Sequence, residues 1–124
     1  MPVGLLSGRA EREFTVAKFS ALKTARGLKN VFRPVELTSI DGDFHSFIVR
    51  YSGDYITHTH EKDEFIYIME GSLVVEMDGR EEEVRQGEAI LIPAGTAHRP
   101  RCKNFALGLV LEARGNQKQM DPQV

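Results

Sequence analysis

Three histidines and one glutamate have the residue types and the spacing of a metal-binding site. His58 and His60 are two positions apart, and side chains at positions i and i+2 of a strand point to the same face. Both imidazole rings can therefore converge on one point. Glu64 begins an apolar run in which the residues of the same parity, Ile66 and Ile68, are isoleucines. A carboxylate on such a face needs a partner, and a bound cation supplies one.

The third histidine, His98, follows an apolar run that ends at Pro93 and a turn at Gly95. Three imidazoles and one carboxylate form a mixed nitrogen and oxygen site that suits one divalent transition metal: Fe, Mn, Ni, Co, Cu or Zn. Up to two coordination positions stay open, as Lewis-acid or redox chemistry requires. The alternative is a barrel that keeps the histidines and binds no metal. The predicted metal ligands are His58, His60, Glu64 and His98.

Short strands separated by glycine turns are expected to position these residues. Asp78-Gly79 predicts a two-residue hairpin, because both positions tolerate the positive φ of a type I′ turn. Closely spaced strands with such turns predict an all-β sandwich or closed barrel. Runs rich in aromatic and β-branched residues occupy positions 44–51, 64–69, 72–77, 89–92 and 105–112, and Glu70-Gly71 predicts a turn between the second and third runs.

We expect one domain in three parts. Residues 1–35 form a short helical or irregular extension that packs on the barrel or on a partner subunit, with a helix between Ser20 and Gly27. Residues 36–113 form the barrel. Residues 114–124 are polar and are predicted to be a flexible tail.

The composition excludes several classes of protein. The chain has 124 residues, of which 41% are hydrophobic and 27% charged, which is typical of a globular domain. Its net charge of −2 argues against nucleic acid or an anionic membrane as a partner. The N-terminal apolar stretch is too short for a signal peptide, and no apolar run is long enough to span a bilayer. The single cysteine, Cys102, excludes an internal disulfide, so we expect a cytoplasmic protein.

The two segments that carry the candidate ligands resemble the two motifs of the cupin superfamily. The interval between Gly53 and His58 is one residue shorter than the family pattern, and Cys102 stands where the second motif ends in asparagine. The short interval between the motifs is typical of small, single-domain cupins. The first motif is matched by Gly53, His58, His60, Glu64 and Gly71, and the second by Gly87, Pro93, Gly95 and His98.

This resemblance implies a jelly-roll β-barrel, also called a double-stranded β-helix, of six to eight strands, with the metal on the four candidate ligands. It does not choose an activity, because cupins include dioxygenases, isomerases, lyases and non-enzymatic binding proteins. We therefore expect a small-molecule ligand and keep two functions open. One is a metal-dependent enzyme of the oxygenase, isomerase or lyase type, and the other is a non-enzymatic module that binds a small molecule or a metal. The sequence names no catalytic residue.

Other polar residues near the motifs have two interpretations each. Cys102 shares the parity of His98 and is either a further ligand or redox-sensitive thiol, or, as we favour, a small buried hydrophobe.

The basic residues Arg99, Arg101 and Lys103 either attract an anionic substrate or form a solvated outer face, which we favour. His45 is either an acid or base in the cavity or, as we favour, a structural or surface residue.

The last predicted strand, residues 105–112, is apolar on both faces and is therefore covered on both sides. The outer cover comes from the N-terminal segment or from a second subunit, and we expect a homodimer.

Overall fold

The computed structural model describes residues 16–120. In that range the chain forms one short helix and eight strands. No helix within this range is both long enough and apolar enough to cross a membrane. The elements are α1 (Ala21–Arg26), β1 (Val35–Ile40), β2 (Phe44–Asp54), β3 (His58–His60), β4 (Glu64–Met77), β5 (Arg80–Arg85), β6 (Ala89–Ile92), β7 (His98–Ala113) and β8 (Lys118–Met120).

The long strand β7 organises the sheet. Its second half pairs antiparallel with β2 on one side and with β4 on the other. Its first residue, His98, pairs with β3, and β8 lies on the far side of β3. β4 also pairs with β5 and β6, and β1 pairs with β2. The sheet curls into a jelly-roll barrel, which confirms the predicted all-β fold.

Alternation along β4 separates the barrel interior from its outer surface. Ile66 and Ile68 are buried, whereas Phe65 and Tyr67 are exposed. Burial of such isoleucines contributes to stability, since truncating one to alanine in a core costs about 2–5 kcal/mol. The parity that buries them also turns Glu64, at the start of the strand, toward the interior.

The helix α1 covers part of the outer face of β2 and β7. Ala25 packs with Ile48 and Leu107, and all three are fully buried. Ser20 and Gly27 flank the helix as expected, although the Ser20 side chain makes no capping hydrogen bond. This part of the N-terminal extension therefore supplies some of the outer cover that the doubly apolar β7 needs.

The turn expected at Glu70-Gly71 is wrong, because β4 runs through it without reversing. The pairing with β7 shifts register on both sides of Gly71, which has a φ of 82°. A Cβ on Gly71 would overlap the carbonyl oxygen of Phe105. Only glycine is compatible with this backbone conformation and this close contact, so Gly71 marks a β-bulge rather than a turn. The hairpin at Asp78-Gly79 is confirmed, with both residues at positive φ.

The C-terminal segment differs from the flexible tail expected over 114–124. Residues 118–120 form β8, and Lys118 pairs with His60 while Met120 pairs with His58. An unpaired strand edge readily accepts another strand, and β3 presents such an edge. Residues 1–15 and 121–124, which belong to the predicted extension and tail, lie outside the described range.

Candidate metal centre

The pairing of β3 with β7 brings three histidines together. His58 and His98 are direct partners in the ladder, with ring centroids 4.3 Å apart. The His60 ring lies 4.9 Å from that of His58 and 5.3 Å from that of His98. All three side chains are buried, and one nitrogen from each lies within 4.8 Å of the others. The structure thus places three imidazoles around one point.

Backbone hydrogen bonds orient two of these rings. The Nδ1–H of His58 donates to the carbonyl oxygen of Ile56 at 2.8 Å, and that of His98 donates to Thr96 at the same distance. Because Nδ1 carries the proton in both rings, the Nε2 lone pair is available to a metal ion. Fixing the second ring nitrogen in this way is the usual support for a metal-binding histidine.

Two buried imidazole nitrogens in the described part of the chain have no hydrogen-bond partner. They are Nδ1 of His60 and Nε2 of His98. A buried polar atom that makes no hydrogen bond is costly and needs an explanation. Imidazole nitrogens that lie close together in a buried cluster fit a divalent transition metal, which imidazole nitrogen binds well.

Glu64 lies beside this cluster. Its Oε1 is 3.3 Å from Nδ1 of His60 and 3.5 Å from Nε2 of His98, and its side chain is largely buried. Burial raises the pKa of Glu64, but His60 and His98 together outweigh burial and lower that pKa to about 2. The carboxylate is therefore ionised at neutral pH and borders the same point as the imidazoles.

The electrostatic environment also keeps His58 neutral. Burial, followed by the neighbouring His98, His60 and Lys118, lowers the pKa of His58 from 6.5 to about 4. Neutral imidazole is the form that binds metal ions, so the His58 ring can bind a metal at neutral pH without first losing a proton.

A cavity of about 70 Å³ opens beside the histidines. A water molecule needs roughly 10–15 Å³ by this measure, so the space suits a small ligand. Aromatic and aliphatic side chains form most of the wall, with His58 and Glu64 at one end. The other lining residues are Phe32, Pro34, Phe47, Val49, Tyr51, Tyr55, Ile66, Pro100, Val110, Glu112 and Lys118.

The sequence analysis missed two charged residues of this cavity. Glu112 pairs directly with Glu64 across β4 and β7, and burial, followed by the Glu64 charge, raises its pKa. Parity was an available signal, since Glu112 shares the inward face of Val110. Lys118 had no such signal, because its segment was expected to be a flexible tail.

Two tyrosines shape the cavity wall. Tyr51 is buried, and burial raises its pKa well above the ordinary value. Its ring occupies space left by Gly108, where a Cβ would lie 2.8 Å from Tyr51 Cε2. Tyr55 packs edge-on against His58, with ring centroids 5.2 Å apart, and stacks on Phe32 at 4.9 Å. These contacts hold an aromatic wall against the histidine cluster.

The fold and the motifs agree with known proteins. Residues 47–104 match the family model of the cupin domain. A solved cupin-2 domain protein from Shewanella frigidimarina superimposes with a TM-score of 0.73, over 77% of this chain and 94% of that chain, at 23% identity. The family match covers 58 of the 124 residues and identifies residues 47–104 as a cupin domain.

Shorter matches reach two named enzymes. The chain is 34% identical over 68 residues to 3-hydroxyanthranilate 3,4-dioxygenase of Rattus norvegicus, a match that covers 52% of this chain and 24% of the dioxygenase. It therefore spans about a quarter of the length of that relative. The structure of the polyketide cyclase RemF from Streptomyces resistomycificus is 29% identical, with a TM-score of 0.58 over 63% of this cupin and 60% of RemF.

Cys102 of this cupin lies away from the histidine cluster. It is a buried member of the core, and its Sγ donates to the carbonyl oxygen of Ser72 at 3.4 Å. Burial raises its pKa, which keeps the thiol protonated. Cys102 is absent from the cavity wall, so the favoured interpretation as a small hydrophobe agrees with its surroundings. The cytoplasmic location inferred from this single cysteine stays a prediction.

The remaining candidates of the sequence analysis also lie outside the cavity. Arg99 and Arg101 donate to Glu76 on β4, at 3.1 and 2.6 Å, and form an ion-pair cluster on the surface. The Nδ1–H of His45 donates to Glu36 Oε1 on β1 at 2.9 Å. None of the three lines the cavity, which agrees with their interpretation as surface or structural residues.

Proposed function

We propose that this cupin binds one divalent transition metal and acts on a small-molecule ligand in the adjoining cavity. The ligand set is three imidazoles and one carboxylate, from His58, His60, His98 and Glu64. The observation that carries the proposal is the buried cluster in which two imidazole nitrogens have no hydrogen-bond partner. Fe, Mn, Ni, Co, Cu and Zn all suit such a site.

We favour a metal-dependent enzyme of the dioxygenase type. The support is the 34% identity to 3-hydroxyanthranilate 3,4-dioxygenase over 68 residues. When bound, the metal would supply Lewis-acid and redox activation of a small substrate. The residues of the chain hold and orient that substrate: the aromatic wall of Tyr51 and Tyr55 binds an apolar body and excludes water, and Glu64 supplies negative charge beside the imidazoles.

Two other functions are kept open. The likeness to the polyketide cyclase RemF supports a non-oxidative enzyme, such as an isomerase, a lyase or a cyclase. The small size of the barrel also permits a non-enzymatic module that binds a small molecule or a metal. These functions share the same metal site and differ in what happens to the ligand.

Elemental analysis of the protein purified from its native host tests the metal site. We expect about one transition metal ion per chain in the wild type, and at least a tenfold loss in His58→Ala and His98→Ala. His45→Ala is the matched control, because it removes the fourth histidine of the chain, which lies outside the cluster. Wild-type protein without stoichiometric metal, or equal losses in all three variants, would contradict the proposal.

Turnover assays separate the three functions. Protein loaded with Fe²⁺ is incubated with 3-hydroxyanthranilate and other ortho-hydroxylated aromatic compounds, and oxygen uptake and products are measured. Oxygen uptake that His98→Ala abolishes would establish a dioxygenase. Products without oxygen uptake favour the non-oxidative enzyme, whereas binding without turnover favours the module.

We also propose a homodimer that forms through the outer face of the sheet. The helix α1 covers Ile48 and Leu107, but farther along this face Phe44, Phe65 and Leu91 remain exposed. A contiguous apolar surface of this kind marks an interaction site. We expect a light-scattering mass of two chains for the wild type and of one chain for Leu91→Glu. A wild-type mass of one chain would overturn the dimer.

A further inference from the structure

Strand β8 carries a basic side chain to the mouth of the cavity. Lys118 pairs with His60 in the ladder between β3 and β8. The preceding turn is held by hydrogen bonds, in which Lys62 N donates to Asn116 Oδ1 at 2.7 Å and Glu61 N donates to Gln117 O at 3.1 Å. The position of Lys118 relative to the histidine strand is therefore determined by the backbone.

The Lys118 ammonium has a neutral partner. Its Nζ donates to the hydroxyl of Tyr55 at 2.8 Å and lies 4.6 Å from the centre of the same ring. Across residues 16–120, no carboxylate lies within ion-pair distance of this ammonium. Lys118 is also the only lysine or arginine among the described residues that line the cavity. Glu112, on the same cavity wall, interacts with this charge electrostatically but forms no ion pair with it, so the ammonium can still donate to a ligand.

Tyr55 connects this charge to the histidine cluster. One tyrosine ring contacts His58 edge-on and carries, on its hydroxyl, the hydrogen bond from Lys118. The cavity therefore has a cation at its mouth, an apolar wall, and the imidazoles at its inner end. A small ligand that fills it meets both ends.

We propose that Lys118 binds the carboxylate of a small, singly charged organic acid whose body lies in the cavity. This inference rests on the proposed function in one respect, namely that the cavity binds a small molecule. A carboxylate is a stronger hydrogen-bond acceptor for an ammonium than the neutral Tyr55 hydroxyl is. Glu64, which lies beside His60 and His98, repels a carboxylate at the histidine end and so favours the end that carries Lys118.

Matched pairs of probe compounds test this proposal. Benzoate and benzamide, and isobutyrate and isobutyramide, have nearly the same shape but differ by one negative charge. Their dissociation constants are measured by ligand-observed NMR titration with the wild type, Lys118→Met, Lys118→Arg and Lys103→Met. Lys103 is the control, because it is an exposed lysine outside the cavity wall. Thermal unfolding of each variant establishes that it is folded.

We expect the wild type to bind at least one acid three times or more tightly than its amide, at low ionic strength. Lys118→Met is expected to abolish this preference, whereas Lys118→Arg and Lys103→Met keep it. A preference below threefold in the wild type, a preference that survives in Lys118→Met, or failure of every probe to bind would overturn the proposal.

The same titrations are made with metal-free and Co²⁺-loaded protein, so that failures can be distinguished. The contact between Lys118 and the acid needs no metal, and the charge preference is therefore expected in both forms. If Co²⁺ does not bind but the preference depends on Lys118, the metal proposal fails and the inference on Lys118 holds. If Co²⁺ binds and the preference is absent, the inference fails and the metal site stands.

Discussion

His58 and His98 lie directly opposite each other in the ladder between β3 and β7, and their ring centroids are 4.3 Å apart. Backbone pairing, rather than the conformation of a loop, sets this distance. Sites on rigid elements hold their geometry better than sites on loops. The candidate metal centre is therefore built into the barrel itself, and its integrity can be tested through stability as well as through metal content.

Removal of the metal is expected to destabilise the protein. A ligand present at about 100 times its dissociation constant stabilises the folded state by about 2.7 kcal/mol. Protein loaded with Zn²⁺ should thus unfold at a higher denaturant concentration than protein treated with a chelator. His98→Ala should lose this difference and His45→Ala should keep it. Equal unfolding midpoints for loaded and chelated wild type would contradict the prediction.

The metal-free protein is expected to lose stability as pH falls. Burial lowers the pKa of His58 from 6.5 to about 4, so between these values the unfolded chain binds a proton that the folded chain does not. The contribution is fully present above 6.5 and declines below it, by up to about 1.4 kcal/mol per pH unit. The lowered pKa of Glu64, near 2, acts only at lower pH, below 4.5.

Denaturant titrations across that pH window measure the effect. His58→Gln should flatten the pH dependence, because the titrating ring is gone. His45→Ala should leave the slope unchanged. A wild-type stability that is constant from pH 6.5 to about 4 would be inconsistent with a neutral, buried His58.

Cys102 is expected to behave as a structural residue. Because its thiol is buried and its pKa is raised, iodoacetamide should label native protein slowly and unfolded protein rapidly. Cys102→Ala should keep the full metal content and destabilise the fold by about 1 kcal/mol. Rapid labelling of the native protein, or loss of metal in this variant, would instead assign the thiol to the site.

Gly71 is expected to tolerate no side chain. Gly71→Ala should destabilise the protein by more than about 2 kcal/mol, because the residue has a positive φ and a Cβ would overlap the Phe105 carbonyl. Gly79→Ala is the matched control, since Gly79 also has a positive φ but has open space around it. The control should cost only about 1 kcal/mol. Equal urea midpoints for the two variants would show that the close contact is unimportant.

Local pattern was enough to predict the inner end of the site. The two-residue spacing of His58 and His60 ensures that they share a face on any strand, and the isoleucines after Glu64 determine which face is interior. Those relationships depend on strand parity, which is a local property. The cupin motifs added His98, and the structure places the three imidazoles around one point, with the Glu64 carboxylate beside His60 and His98.

Pairing between strands that are distant in the sequence decided the bulge at Gly71 and the position of Lys118. A glycine with positive φ is equally compatible with a turn and with a bulge, and only the approach of Phe105 made Gly71 a bulge. Likewise, nothing in the residues around Lys118 predicts a strand. Its extended conformation depends on the open edge of β3, which exists only once the barrel has formed. The sequence by itself therefore determined which face carries the histidines, because side-chain direction in a strand is local. The mouth of the cavity was decided by the tertiary structure, because strand pairing joins segments that carry no information about each other.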